Sequence, residues 1–135
     1  MHAFVVEVKN KPGELARVAE ALGQKGINIT GFTGATCGDS GSVCFITNDE
    51  SGTRRALEQA KYRATERELV LATLPDKPGS LADAARRLAN AGVNIEAVLP
   101  TGMSGANIHV AFATDDATKA RTALGDVVMS GSTAR

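Results

Sequence analysis

Apolar residues at Leu15, Val18, Ala19 and Leu22 recur at i, i+3, i+4 and i+7, the stripe of a helix with one packed face and one wet face. The same stripe returns at Leu81, Ala84, Ala85 and Leu88. Ahead of each stripe, Phe4 to Val8 and Leu69 to Leu74 are β-rich apolar runs that predict first strands. Behind each stripe, Gly26 and Gly92 suit the left-handed turn that closes a helix. Ile27-Asn28-Ile29 and Val93-Asn94-Ile95 then alternate apolar and polar, as the start of a half-buried strand does. Third strands are predicted over 42–47 and 107–114, and second helices open at Asp49 and Asp116. Fourth strands are expected over 62–67 and 126–130, with a frayed end over 131–135.

The pattern is written twice. Ten of the twenty residues from Lys11 to Thr30 are identical to their counterparts from Lys77 to Glu96, at an offset of 66. Downstream the offset becomes 67, because Thr47-Asn48-Asp49 returns as Thr114-Asp115-Asp116. The second copy therefore carries one extra residue, placed most simply in a loop near Gly102 to Gly105. Two copies are too few for a solenoid. The order β-α-β-β-α-β and right-handed crossovers predict an α+β fold of two ferredoxin-like modules, residues 1–67 and 68–135. Each is expected to be a four-stranded antiparallel sheet with both helices on one face. Units so small bury only about 60% of the surface of their unfolded chains, and no linker separates them, so the copies are expected to pack together.

Fifteen basic and fifteen acidic side chains cancel, and aromatics make up 4% of the chain. Neither a steering field nor a set of stacking platforms is present, so no nucleic-acid partner is expected. The pairs Arg54-Arg55 and Arg86-Arg87 flank hydrophobic stripes and read as solvated helix faces. No apolar run has the length of a membrane span, and Met1 to Val6 enters a strand without a basic and apolar leader. A cytoplasmic protein with no membrane partner is the expectation. Cys37 and Cys44 flank the turn Gly38-Asp39-Ser40-Gly41 and could face each other across a hairpin; they are read as buried thiols.

The chemistry concentrates at the start of the striped helices. Pro12 and Pro78 suit a first helical position, which places the N-cap on Lys11 or Lys77, residues that cannot accept from the free N–H groups behind them. The N–H groups of Gly13, Glu14 and Leu15, and of Gly79, Ser80 and Leu81, then lack acceptors, and a carboxylate suits that place. Just upstream, Asn10 or Asp76 could accept from an ammonium group. Donors for a carboxylate beside an acceptor for an ammonium describe a site for the main-chain part of a free amino acid. Equally, Asn10 and Asp76 could bond their own turn and cap the helix. Asn28 and Asn94 read either as solvated strand-start residues or as ligand contacts.

Strand, then Asn/Asp-x-Pro-Gly-x-Leu-Ala, then a helix ending in Gly-Ile/Val-Asn-Ile resembles the ACT domain, a β-α-β-β-α-β module that binds amino acids and regulates metabolic enzymes. The resemblance covers nearly the whole chain, twice. It implies a ligand held between the strand-helix loop of one module and the second-strand region of a neighbour. That assigns Asn10, Gly13, Glu14 and Leu15 with Asn94 and Ile95, and Asp76, Gly79, Ser80 and Leu81 with Asn28 and Ile29. ACT domains are usually joined to an enzyme. No catalytic domain is evident here, so the resemblance implies a stand-alone tandem protein, a homodimer acting on a partner enzyme or regulator.

Other chemistries fit poorly. Gly38-Asp39-Ser40-Gly41 resembles a trypsin-like nucleophile segment, but the chain is too short for that double barrel and its histidines, His2 and His109, lack an aspartate partner. Cys37, Cys44, His2 and His109 have zinc-binding atoms without paired spacing, so no metal is expected. The glycines near Gly102 do not follow a strand and open a helix, and no cofactor is expected. Acylphosphatases share the topology, but their loop carries an arginine where this chain reads Asn10-Lys11-Pro12-Gly13. A non-catalytic sensor is the expected function; a purely structural oligomerisation module is the alternative.

Overall fold

The computed structural model of the protein describes residues 1–129. The chain divides into two compact units, His2–Glu66 and the residues from Arg67 onward together with Met1. In the first unit, β1 (His2–Lys9), α1 (Glu14–Gly23), β2 (Ile29–Cys37), β3 (Ser40–Thr47) and α2 (Glu50–Gln59) follow in order. Strand β4 (Ala64–Pro75) leads into the second, which continues with α3 (Ser80–Asn90), β5 (Ile95–Ser104), β6 (Asn107–Thr114), α4 (Ala117–Leu124) and a 3-10 turn, Gly125–Val127.

Within the first unit β3 is central, with antiparallel ladders to β1 and β2. Within the second, β6 takes that place between β4 and β5. Alternation along the strands sends Phe4 and Val6 of β1, and Val43 and Phe45 of β3, to one side, where Val18 and Leu22 of α1 and Ala56 and Leu57 of α2 meet them. Both helices therefore cover one sheet face, as the pattern predicts. Phe4 and Phe45 stack with ring centroids 6.1 Å apart. Burying such a side chain contributes about 1.5–3 kcal/mol. The second unit repeats the arrangement with Val70, Ala72, Val110 and Phe112 under Ala84, Leu88, Ala120 and Leu124.

Two expectations about strands need correction. The fourth strand expected over 62–67 and the first strand expected from Leu69 are one continuous strand, β4, because no turn former lies between Ala64 and Pro75. The strand expected over 126–130 is, among the described residues, the 3-10 turn followed by a single antiparallel bridge from Val128 to Ala72. Residue 130 and the end expected to fray, 131–135, lie outside the described residues.

The extra residue of the second copy is in a strand, not a loop. Both hairpins turn on two residues, Cys37 to Ser40 and Ser104 to Asn107 being opposed pairs. Strands β2 and β5 share a register shift at Ile29/Gly31 and Ile95/Ala97, but β5 alone has a second one between Pro100 and Gly102. Thr101 is thus the added residue, absorbed as a bulge.

The helix starts also differ from expectation. Helix α1 begins at Glu14 and α3 at Ser80, and their N-caps are Gly13 (φ 91°) and Gly79 (φ 89°), not Lys11 and Lys77. The Lys-Pro segment is spent in a turn first, and a left-handed residue then aims the chain into the helix, a conformation that glycine adopts without steric cost. The helix ends follow the reading: Ile27 N–H donates to Leu22 O (3.1 Å) and Gly26 N–H to Gly23 O (3.0 Å), with Gly26 left-handed, and Val93 and Gly92 repeat both bonds. Asp49 and Asp116 cap α2 and α4, accepting from Gly52 N–H (2.9 Å) and Lys119 N–H (3.0 Å).

Candidate functional site

Each unit has a cleft beside its first helix, where the sheet extends past the helix edge. In the first unit the cleft measures about 520 Å³ and is lined by Asn10, Glu14 and Leu15 from the loop and helix, and by Phe32, Gly34 and Val43 from the sheet. In the second, a cleft of about 330 Å³ is lined by the equivalent Asp76, Ser80, Leu81, Val98, Pro100 and Val110. The repeat in sequence is thus a repeat in concavity, within the size range of small-molecule sites.

At the loop, Asn10 is held by two bonds to the β2–β3 hairpin: its N–H donates to Asp39 O (2.9 Å) and its Nδ2 to Gly38 O (2.9 Å). With the amide nitrogen fixed by a carbonyl, Oδ1 is left as an acceptor with no partner among the described residues. Among the described residues Asp76 keeps only the main-chain bond, N–H to Ala106 O (2.9 Å), since a carboxylate cannot donate to the turn. Neither residue caps its helix, and among the described residues no side chain does so. The first-turn N–H groups of α1, from Glu14, Leu15 and Ala16, consequently have no intrahelical partner. In α3 the first of the three, Ser80 N–H, turns back to Lys77 O (3.3 Å). The Glu14 carboxylate is itself engaged, accepting from Lys9 N–H (3.3 Å) and pairing with Arg17.

The predicted site residues separate into two groups. Asn10, Glu14 and Leu15 meet in one cleft, and Asp76, Ser80 and Leu81 in the other. Gly13 sets the backbone without lining its cleft; Gly79 lines an adjacent hollow of about 410 Å³ with Arg87 and Asp126. Asn28 and Asn94 lie off the cleft of their own unit. Each closes a loop through its main chain, Asn28 N–H donating to Asn48 Oδ1 (3.0 Å) and Asn94 N–H to Asp115 Oδ1 (2.9 Å). Ile29 and Ile95 pack against their unit's core.

Phe32 and Gly34, with Val98 and Pro100, are site residues that the sequence reading missed. Phe32 is 65% exposed and Leu15 56%, large apolar side chains open to the cleft. An aromatic beyond the expected alternation of β2 was the available signal.

Elsewhere, the cysteines do not face each other: Cys37 pairs with Ser40 and is exposed, whereas Cys44 pairs with Thr33 and Val5 and is buried. Burial pushes the Cys44 thiol up. His2 holds Glu50, its N–H donating to Oε2 (2.9 Å) and its ring Nδ1 lying 3.1 Å from Oε1. Partial burial alone would raise the Glu50 carboxyl, but these bonds outweigh it and hold the group below its ordinary range. His109 bonds Thr73 (3.1 Å). Among the described residues, no three His, Cys, Asp or Glu gather to hold a metal ion, and no helix is long and apolar enough to cross a membrane.

The paired strands and one-sided helices of each unit define an α+β fold of the ferredoxin-like kind. Residues 2–64 match the family model of the ACT domain. The fold is shared with a crystal structure of a Bacteroides thetaiotaomicron protein, 23% identical at a TM-score of 0.77, covering 97% of this chain and 92% of that one. It is shared too with the ligand-free regulatory subunit of aspartate kinase from Thermus thermophilus, 22% identical at a TM-score of 0.65, covering 93% and 91%. The regulatory subunit of aspartate kinase from Thermus flavus is 23% identical at a TM-score of 0.66, covering 91% and 88%. A search among curated proteins finds no match to the chain.

Proposed function

We propose that this protein is a non-catalytic sensor of a free amino acid, built from two ACT modules over residues 1–67 and 68–135. In this reading β4 serves both modules, its first residues completing the first and its remainder opening the second, and the Val128 bridge is the rudiment of the second module's fourth strand. The amino acid binds beside the strand-helix loop, its carboxylate on the free N–H groups of α1 and its ammonium on Asn10 Oδ1. Asn28, Ile29, Asn94 and Ile95 contribute to the site of a neighbouring module. The occupied protein, a cytoplasmic homodimer, acts on a partner enzyme or regulator of amino-acid metabolism.

The observation that carries this reading is the recurrence of one cleft at equivalent residues of both units, each beside a helix start without a side-chain cap. The ACT match over residues 2–64 and the regulatory subunits among the similar folds support it. The test is a melting-temperature screen of the twenty amino acids. A ligand at 100 times its dissociation constant adds about 2.7 kcal/mol of stability, a shift of several degrees for a chain of this size. Exposed Leu15, Phe32, Leu81 and Met103 favour the second reading, an oligomerisation module without ligand; a flat screen with a concentration-dependent dimer selects it.

A further inference from the structure

Resting on that reading, we infer that the N-terminal cleft selects an amino acid with a large apolar side chain, and that Gly34 is the residue that makes room for it. The argument comes from the register. In an antiparallel ladder, opposed residues share a face. Phe32 is opposed to Phe45 and Gly34 to Val43, and Phe45 and Val43 lie in the core beneath the helices. Phe32 and position 34 therefore belong to the helix-facing side of β2, at the part of the sheet that α1 leaves uncovered. A Cβ added at Gly34 would stand 3.1 Å from Ser42 O and 3.9 Å from Val43 Cγ2, and any longer side chain would extend over the cleft floor.

The apolar walls of this space are Leu15 of α1, Phe32, Val8 and Val43, and Thr36, on the same face of β2, adds one hydroxyl. Glu14, the nearest acid, is occupied by Arg17 and Lys9 N–H, and Lys9 and Lys11 are exposed. By alternation Thr33 and Ser42 belong to the opposite face. A charged side chain entering here would lose hydration against hydrocarbon, with only the exposed, hydrated Lys9 and Lys11 to meet an acid and an already engaged Glu14 to meet a base, whereas an apolar one removes both itself and the exposed Leu15 and Phe32 from water. The second unit provides the contrast. Its position equivalent to Gly34 is Pro100, opposed to Val110 on the same face, and its cleft is about 330 Å³ against about 520 Å³. The ring fills floor that the glycine leaves open.

Titration calorimetry on the full chain tests this with leucine, methionine and phenylalanine against alanine, aspartate and lysine. Each buried methylene is worth about fourfold in affinity, so at least one large apolar amino acid is expected to bind about tenfold or more tightly than alanine. Gly34→Val is expected to weaken that ligand at least about tenfold. Leu15→Ala, at an exposed position that leaves the fold intact, is expected to weaken it severalfold, while Met103→Ala, at an exposed position that lines neither cleft, leaves it within about twofold. Tightest binding by a charged or small amino acid, or an apolar preference that both Gly34→Val and Leu15→Ala leave unchanged, overturns the selectivity and leaves amino-acid sensing standing. Absence of binding by all six, together with a flat melting-temperature screen of the twenty, overturns the sensing itself.

Discussion

The Asn10 side-chain amide donates to the Gly38 carbonyl across 2.9 Å, tying the strand-helix loop to the tip of the β2–β3 hairpin. The equivalent loop has a carboxylate at Asp76, which retains only the main-chain bond to Ala106. One atom type therefore separates the two loops: an amide clamps the hairpin and presents Oδ1, whereas a carboxylate stands unclamped with its charge beside a place suited to another carboxylate.

Replacing Asp76 by Asn gives the second loop the donor that the first one has. Asp76→Asn is expected to raise stability by about 0.5–1.5 kcal/mol, the net value of a typical hydrogen bond, and Asn10→Asp to lower it by a similar amount. Urea denaturation midpoints of the two variants, at equal slope, check this pair; equal midpoints for both and the parent protein would show that the amide clamp has no energetic role.

A second difference lies in the core. Thr47 and Thr53 hydroxyls are 2.7 Å apart and buried, with Thr53 also donating to Asp49 O. In the second unit Thr114 stands where Thr47 does, but Ala120 replaces Thr53, and the buried Thr114 hydroxyl has no partner among the described residues. Thr114→Val keeps the shape and removes the unpaired group, so a gain of about 1 kcal/mol is expected. Thr53→Ala removes the acceptor of the Thr47 hydroxyl proton, leaving that hydroxyl only the bond it accepts from Asp49 N–H (3.3 Å), and should cost about 1–3 kcal/mol. Thermal unfolding of both variants measures the opposed signs.

Gly13 and Gly79 have open space where a Cβ would stand, so any cost of substitution comes from their positive φ. Gly13→Ala and Gly79→Ala are expected to lose about 1–2 kcal/mol each. A loss of that size without ligand, measured by chemical denaturation, separates the backbone demand from any demand of a bound molecule.

Glu50 provides a pH test. Its carboxyl is held low in the folded protein by His2, so its contribution is present above the ordinary glutamate value of about 4.3 and is lost as pH falls through the lower folded value. His2→Ala should reduce the loss of stability on acidification through this window. Unfolding midpoints measured from pH 3 to 8 check the sign; an identical acid limb in the variant, which keeps the main-chain N–H bond to Oε2, would show that the His2 ring carries no linkage.

The helices were legible because the stripes Leu15 to Leu22 and Leu81 to Leu88 carry the 3.6-residue period, and their ends because Gly26 and Gly92 occupy the one position that needs a left-handed residue. Asp49 and Asp116 were legible as helix openers for the same local reason. The helix starts were misplaced because Pro12-Gly13 fits two local solutions, proline at the first turn or glycine as a left-handed cap, and short-range sequence does not choose between them. Thr101 could not be placed because a bulge is defined by the partner strand. The cleft floor was invisible for a related reason. Which side of β2 Phe32 and Gly34 occupy depends on the register shift at Ile29/Gly31 and on the pairing with β3, and both are non-local.

Titration calorimetry of an amino acid identified by the melting screen, compared across the parent protein, Asn10→Ala and Asp76→Ala, tests the account most directly. Losing a hydrogen bond to a charged ligand group costs about 1.5–3 kcal/mol, roughly 10- to 150-fold in affinity. Asn10→Ala is expected to weaken the tighter site by that order, and Asp76→Ala to leave it nearly intact. Loss of the tighter site in Asp76→Ala with Asn10→Ala unaffected would contradict the assignment, and unaltered binding in both variants would show that the loop is structural.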